Sequence, residues 1–155
     1  MSNILVIDDN PAVATALEVL YSLHDLATVH AVSPDAGLAL LDSEPVDLVI
    51  QDMNFTADTT SCDEGRALFA AIRQRHPDLP VVLLTAWTHL ESAVELIKAG
   101  AADYVAKPWQ DAKLLATVNN LLELAEARRE LDLRRDGAWQ VTRVLSFGHR
   151  AAGNG

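Results

Sequence analysis

Residues suited to phosphate chemistry sit at four separated points of this chain, each where a short apolar run ends. Asp8 and Asp9 follow Ile4-Leu5-Val6-Ile7, and Asp52 follows Leu48-Val49-Ile50-Gln51. Thr85 follows Val81-Val82-Leu83-Leu84, and Lys107-Pro108 follow Ala102-Asp103-Tyr104-Val105-Ala106. Three carboxylates, a hydroxyl and an ammonium are the parts of metal-assisted phosphoryl transfer. A carboxylate such as Asp52 that attacks an anionic phosphorus meets charge repulsion, which a divalent cation neutralises while aligning the oxygens. Asp8 and Asp9 supply a small open acidic cluster, which suits Mg2+ because that ion takes oxygen ligands and is usually held by one or two carboxylates plus the phosphate. Lys107 and Thr85 can bind other phosphoryl oxygens, by charge and by hydrogen bond. Any one of these residues alone reads as a turn or cap; their joint placement points to chemistry.

Such residues must be brought together, and an open parallel sheet does this by gathering the carboxyl ends of its strands along one cleft. Five short apolar runs alternate with helix-like segments: Ile4 to Ile7, Leu26 to Val32, Leu48 to Ile50, Val81 to Leu84 and Asp103 to Ala106. Continuous apolar runs are the mark of buried parallel strands, so the chain reads as βα five times over. Leu26 to Val32 is more mixed and fits a sheet edge. Asn10 before Pro11, and Ser33 before Pro34, place a side-chain acceptor at a helix N-cap and proline at the first helical position. Thr88 and Glu91 have capping-box spacing and would open a helix through Leu90, Val94 and Ile97 that Gly100 ends. Asp78 to Pro80 separates a helix ending near His76 from the fourth strand. The polar stretch Phe55 to Asp63 is the one long internal loop. The last helix, from near Asp111 to about Asp136, exceeds the roughly 15 to 18 residues that cover such a sheet, so its far end projects. Ala138 to Gly155 is too short for a second domain and reads as a tail.

The chain has 155 residues, 50% hydrophobic, which fits one globular domain with an appendage. A net charge of −10 repels phosphate backbones and anionic membranes, so no direct nucleic-acid binding by this domain is expected. Cys62 is the one cysteine, which excludes an internal disulfide and a Cys-cluster metal site. No apolar run approaches a membrane span and the N-terminus has no signal-peptide pattern, so the expected location is the cytoplasm. The five histidines are scattered without ligand spacing.

The residues resemble the receiver domain of bacterial two-component response regulators. The likeness lies in Val6-Ile7-Asp8-Asp9-Asn10, Asp52, Thr85-Ala86 and Ala101-Ala102-Asp103-Tyr104-Val105-Ala106-Lys107-Pro108, and covers about Asn3 to Glu126. It implies a flavodoxin-like (βα)5 three-layer sandwich with parallel strand order 2-1-3-4-5 and an extended last helix. The receiver would span residues 1–126, with a helical extension and tail over 127–155. It also implies phosphorylation of Asp52 by a sensor histidine kinase, and Mg2+ held by Asp9, Asp52 and the Asn54 carbonyl with Asp8 acting through water. Thr85 and Tyr104 would move together as the switch, and the Lys107-Pro108 bond would be cis. Asp52-Met53-Asn54-Phe55-Thr56, with Thr85-Ala86-Trp87 and Lys107-Pro108-Trp109, is most similar to receivers of the nitrogen-regulator type that head enhancer-binding transcription activators, so a transcriptional output is implied. The loop between Asp52 and Gly65 is longer than usual in the family, and Thr56 stands where a proline is expected.

Leu121, Leu124 and Leu131 form an apolar stripe that could join the fourth and fifth helices in a homodimer, although Arg128 interrupts the heptad. Two rivals stand beside the switch. An aspartyl-nucleophile phosphatase would space its two aspartates one residue apart, whereas Asp8 and Asp9 are adjacent. A phosphorylation-independent pseudo-receiver would not need the intact acidic set and Lys107.

Overall fold

The computed structural model describes residues 2–53 and 62–148, with side chains described through Leu133. Five strands alternate with helices: β1 Ser2–Ile7, α1 Pro11–Ser22, β2 Leu26–Ala31, α2 Pro34–Ser43, β3 Leu48–Asp52, α3 Asp63–Arg75, β4 Val81–Ala86, α4 Leu90–Lys98, β5 Asp103–Lys107 and α5 Asp111–Gly148. All strand pairings are parallel and the order is β2-β1-β3-β4-β5. The chain divides into two units, residues 1–122 and 123–155. The first contains the sheet, α1 to α4 and the start of α5; the second, over its described residues, is the continuation of α5.

Alternation along each buried strand splits the core into two layers. Leu5, Ile7, Val49, Val81 and Leu83 pack with Leu68, Phe69, Ile72 and Leu96 from α3 and α4. Ile4, Val6, Leu48, Ile50, Val82 and Leu84 face the other way, against Leu17 and Tyr21 of α1 and Leu114 and Val118 of α5. Each fully buried Leu or Ile contributes roughly 1.5–3 kcal/mol relative to leaving it in water. The mixed second strand lies at the sheet edge, as its half-buried side chains require.

The two proline-marked caps form as expected. Asn10 Oδ1 accepts from the Ala12 amide at 2.9 Å, and Ser33 Oγ from the Ala36 amide at 3.1 Å. The Thr88 cap does not form. Trp87–His89 make a 3-10 turn, α4 begins after His89, and no side chain caps it. The tighter turn consumes Thr88 before the α-helix starts and leaves Glu91 in the first turn of α4. Gly100 does end that helix region, at φ 117°, where a residue with a side chain would be strained.

The last helix runs on to Gly148 rather than stopping near Asp136, and Gly137 lies within it. A single glycine costs a helix about 1 kcal/mol relative to alanine, too little to end it without a proline or a cap.

At the amino end of the sheet Arg73 gathers backbone carbonyls. Its Nη1 donates to the carbonyls of His76 at 3.1 Å, Pro77 at 2.7 Å and Leu79 at 2.9 Å, and Nη2 to that of Gly100 at 3.2 Å. Three acceptors around a nitrogen with two hydrogens must share them. The guanidinium also lies 5.1 Å from the Phe69 ring centre. It joins the end of α3, the turn into β4 and the end of α4.

Candidate functional site

Because all strands run one way, their carboxyl ends deliver the polar residues to a common edge. Asp8 leaves β1, Asp52 ends β3, Thr85 is next to last in β4, and Lys107 ends β5. The register pairs Asp52 with Leu84, Thr85 with Ala106 and Ala86 with Lys107. Lys107 Nζ lies 3.0 Å from Asp52 Oδ1 and 3.1 Å from Asp8 Oδ2. One ammonium thus bridges two buried carboxylates, while Asp9 stays exposed beside them.

Both carboxylates are also tied to nearby backbone, Asp8 through its other oxygen and Asp52 through the same oxygen that faces Lys107. Asp8 Oδ1 accepts from the Asn10 amide at 2.9 Å, and Asp52 Oδ1 from the Met53 amide at 2.9 Å. Asp8, Asp9 and Asp52 can bring one oxygen each to within 4.8 Å of one another. Three carboxylates and one ammonium leave an excess of two negative charges, and burial adds to this in raising both Asp52 and Asp9, where it is the largest cause. Burial pushes the Asp52 carboxyl above its usual range; Asp8 adds to this and Lys107 opposes it. Asp9 is likewise raised, by partial burial and then by the charge of Asp8. Burial alone would lower Lys107, but Asp52 and Asp8 outweigh it and its pKa is raised. An all-oxygen cluster with this excess charge fits a hard divalent cation such as Mg2+.

Thr85 is buried at the same edge, and its hydroxyl faces the carbonyls of Ala86 at 3.3 Å and His89 at 3.4 Å, both long for an O–H donor. Tyr104 is half-buried and packs against the apolar layer shared with α3 and α4. The Lys107-Pro108 bond is cis. Asn54, and the Phe55 to Asp63 loop up to residue 61, lie outside the described residues.

Two residues at the site carry no obvious mark in the sequence. His30, on the edge strand, brings Nε2 to 2.8 Å from the Asp8 carbonyl oxygen. Gln51, buried in the central strand beside Asp52, donates through Nε2 to the Gly65 carbonyl at 2.9 Å. A glutamine inside an apolar strand was the available signal for the second. For His30 only the strand register reveals the contact. Gly65 itself allows α3 to start against the strand: a Cβ there would come within 2.5 Å of the Met53 carbonyl oxygen.

Residues 4–119 match the response regulator receiver domain family. The chain belongs to this family. It is 33% identical over 126 residues to the response regulator protein PilR of Pseudomonas aeruginosa, an alignment covering 81% of this chain and 27% of PilR. It is 36% identical over 119 residues to FleR of the same organism, covering 76% of this chain and 24% of FleR. The chain therefore spans about a quarter of the length of these curated relatives. Among solved structures it is similar to the N-terminal signal receiver domain of a Bacteroides fragilis two-component response regulator. That match has a TM-score of 0.71 and 36% identity, over 79% of this chain and 97% of that one. NtrX from Brucella abortus matches with a TM-score of 0.76 and 29% identity, over 85% of this chain and 29% of that one. The receiver assignment thus stands, with relatives of the nitrogen-regulator kind, and the flavodoxin-like sheet of a receiver domain is the sheet seen here. The chain is the receiver domain of a two-component response regulator, a signalling switch, and a phosphorylation-independent module is not favoured. Among the described residues no helix is long and apolar enough to cross a membrane.

Proposed function

We propose that Asp52 accepts a phosphoryl group from the phosphohistidine of a sensor histidine kinase. An Asp52 carboxylate oxygen bonds to phosphorus as the phosphorus–nitrogen bond breaks, and the imidazole leaves with the electron pair. Asp9, Asp52 and the Asn54 carbonyl would hold Mg2+, with Asp8 acting through water. When bound it neutralises the phosphoryl oxygens and the crowded carboxylates together. Lys107 already sits on Asp52 and turns its charge to a phosphoryl oxygen once the carboxylate has become an acyl phosphate. Thr85 lies one strand away and can exchange its two long carbonyl contacts for a phosphoryl oxygen. Thr85 and Tyr104, on adjacent strands, then carry the change toward α4. Self-dephosphorylation by water returns the switch.

The observation that carries this reading is Lys107 Nζ held between Asp52 and Asp8 at 3.0 and 3.1 Å. In the whole protein the receiver ends near residue 126, the segment 127–155 links it to an output that regulates transcription in the cytoplasm, and phosphorylation promotes a homodimer through the fourth and fifth helices. Exposed Val94 on α4 and, separately, exposed Leu124 and Leu131 on α5 supply apolar surface for that. Intact-mass measurement with a small-molecule phosphodonor and magnesium tests the central claim. One phosphoryl group on the wild type and none on Asp52→Asn is expected, and equal labelling of both removes Asp52 from its role.

A further inference from the structure

We propose that His30 is a positioning residue for the acidic cluster: by holding the Asp8 carbonyl it fixes the peptide plane between Asp8 and Asp9, and so the direction of the Asp9 carboxylate. The inference rests on the magnesium reading given above. Its basis is the way the β1–β2 ladder ends. The Asp8 amide still pairs with the Ala31 carbonyl at 3.1 Å. In a parallel ladder the carbonyl of the same residue points to the same neighbour and needs the next amide along it. Here β2 has ended at Ala31, and Ser33 already caps α2. The imidazole of His30, from within β2, supplies the missing donor at 2.8 Å. A carbonyl oxygen only accepts, so the hydrogen is on Nε2.

Asp8 has other anchors. Its carboxylate is held by the Asn10 amide and by Lys107. Asp9 is exposed, and its Cα closes the peptide plane that His30 holds, so that plane sets the point and the Cα–Cβ direction from which its side chain leaves the backbone. Groups that orient a metal site's ligands from behind typically change affinity 10- to 100-fold when removed.

The test is calorimetric magnesium titration of the full chain as wild type, His30→Leu, His30→Gln and Asp9→Ala, with urea unfolding of each without metal. Wild type is expected to bind, and Asp9→Ala to lose binding. His30→Leu should weaken magnesium binding about tenfold. His30→Gln, whose side-chain amide can still donate, should recover most of the loss, which a simple packing role would not predict. Should the leucine variant fail to fold, His30→Thr, too short to reach the carbonyl, is expected to show the same weakening. Equal affinity of wild type and the leucine or threonine variant overturns the positioning role while leaving the phosphoacceptor reading intact. Failure of the wild type to bind magnesium overturns both.

Discussion

Two cations mark the two ends of the sheet, and they are held by opposite kinds of partner. Lys107, at the carboxyl end, is paired with two carboxylates that carry full charge. Arg73, at the amino end, is surrounded by four backbone carbonyls that carry none. The first raises its own pKa through the acids it faces, whereas burial lowers that of the second, with Asp78 only partly offsetting it. A pairing of mobile charges can be traded when a phosphoryl group or a metal arrives. A guanidinium fixed by carbonyls from three elements has nothing to trade, because its partners are the backbone itself. One end is built to be rearranged and the other to stay put.

The sharpest break of that contrast is at Lys107. Lys107→Met is expected to lower the rate of Asp52 phosphorylation about 100-fold, the scale on which a single preorganised charge partner acts. Stopped-flow measurement with a small phosphodonor reads it; a rate within threefold of wild type would mean Lys107 is only a structural counter-ion. Arg73→Met should do the reverse, costing roughly 2–3 kcal/mol in urea unfolding through lost charged hydrogen bonds while leaving the phosphorylation rate unchanged. If it slowed phosphorylation as much as it destabilised, the two ends would be coupled rather than distinct.

Acid titration separates the ends more finely. The Asp52 carboxyl is harder to ionise folded than unfolded, so the unfolded chain releases its proton first as pH rises. Without metal, its contribution to stability is greatest below the ordinary carboxylate value near 3.8 and is lost as pH climbs through the raised one. The stability difference between Asp52→Asn and wild type should therefore grow with pH across this window and then level off. Urea midpoints from about pH 4 to about pH 7 follow it, and a flat difference would contradict a carboxyl raised by burial. The smallest effect expected is on Asp9→Ala, which should gain roughly half a kcal/mol of metal-free stability, since solvent screens an exposed carboxylate. A loss would mean that Asp9 is held by favourable contacts rather than crowded.

The contrast also marks what was legible in the chain. Asp8, Asp9, Asp52, Thr85 and Lys107 could be found because each follows an apolar run and a parallel sheet carries every run's end to one edge. Asn10 and Ser33 could be read as caps because their partners lie two and three residues away. Strand order was different: periodicity identifies strands but not their neighbours, and 2-1-3-4-5 came only through the family likeness. Thr88 misled because a local cap competes with a 3-10 turn on energies of about 1 kcal/mol, which surrounding packing decides. The expected helix end near Asp136 failed for a similar reason, since the weak propensity of one glycine, Gly137, does not stop a long helix. Arg73 and His30 left no mark, since their partners are carbonyls, which every residue has.

The stems of the segment between Met53 and Cys62 are fastened to each other before that segment begins. Gly65 lies directly on the Met53 backbone, and Gln51 reaches across to the Gly65 carbonyl. A graft between such stems transmits little strain to the frame, and each doubling of a flexible insert costs only about 0.6 kcal/mol in closure entropy. Foreign sequence such as an epitope or a reporter peptide is therefore best inserted beyond Asn54, leaving both stems as they are, and position 65 must remain glycine in any such chimera.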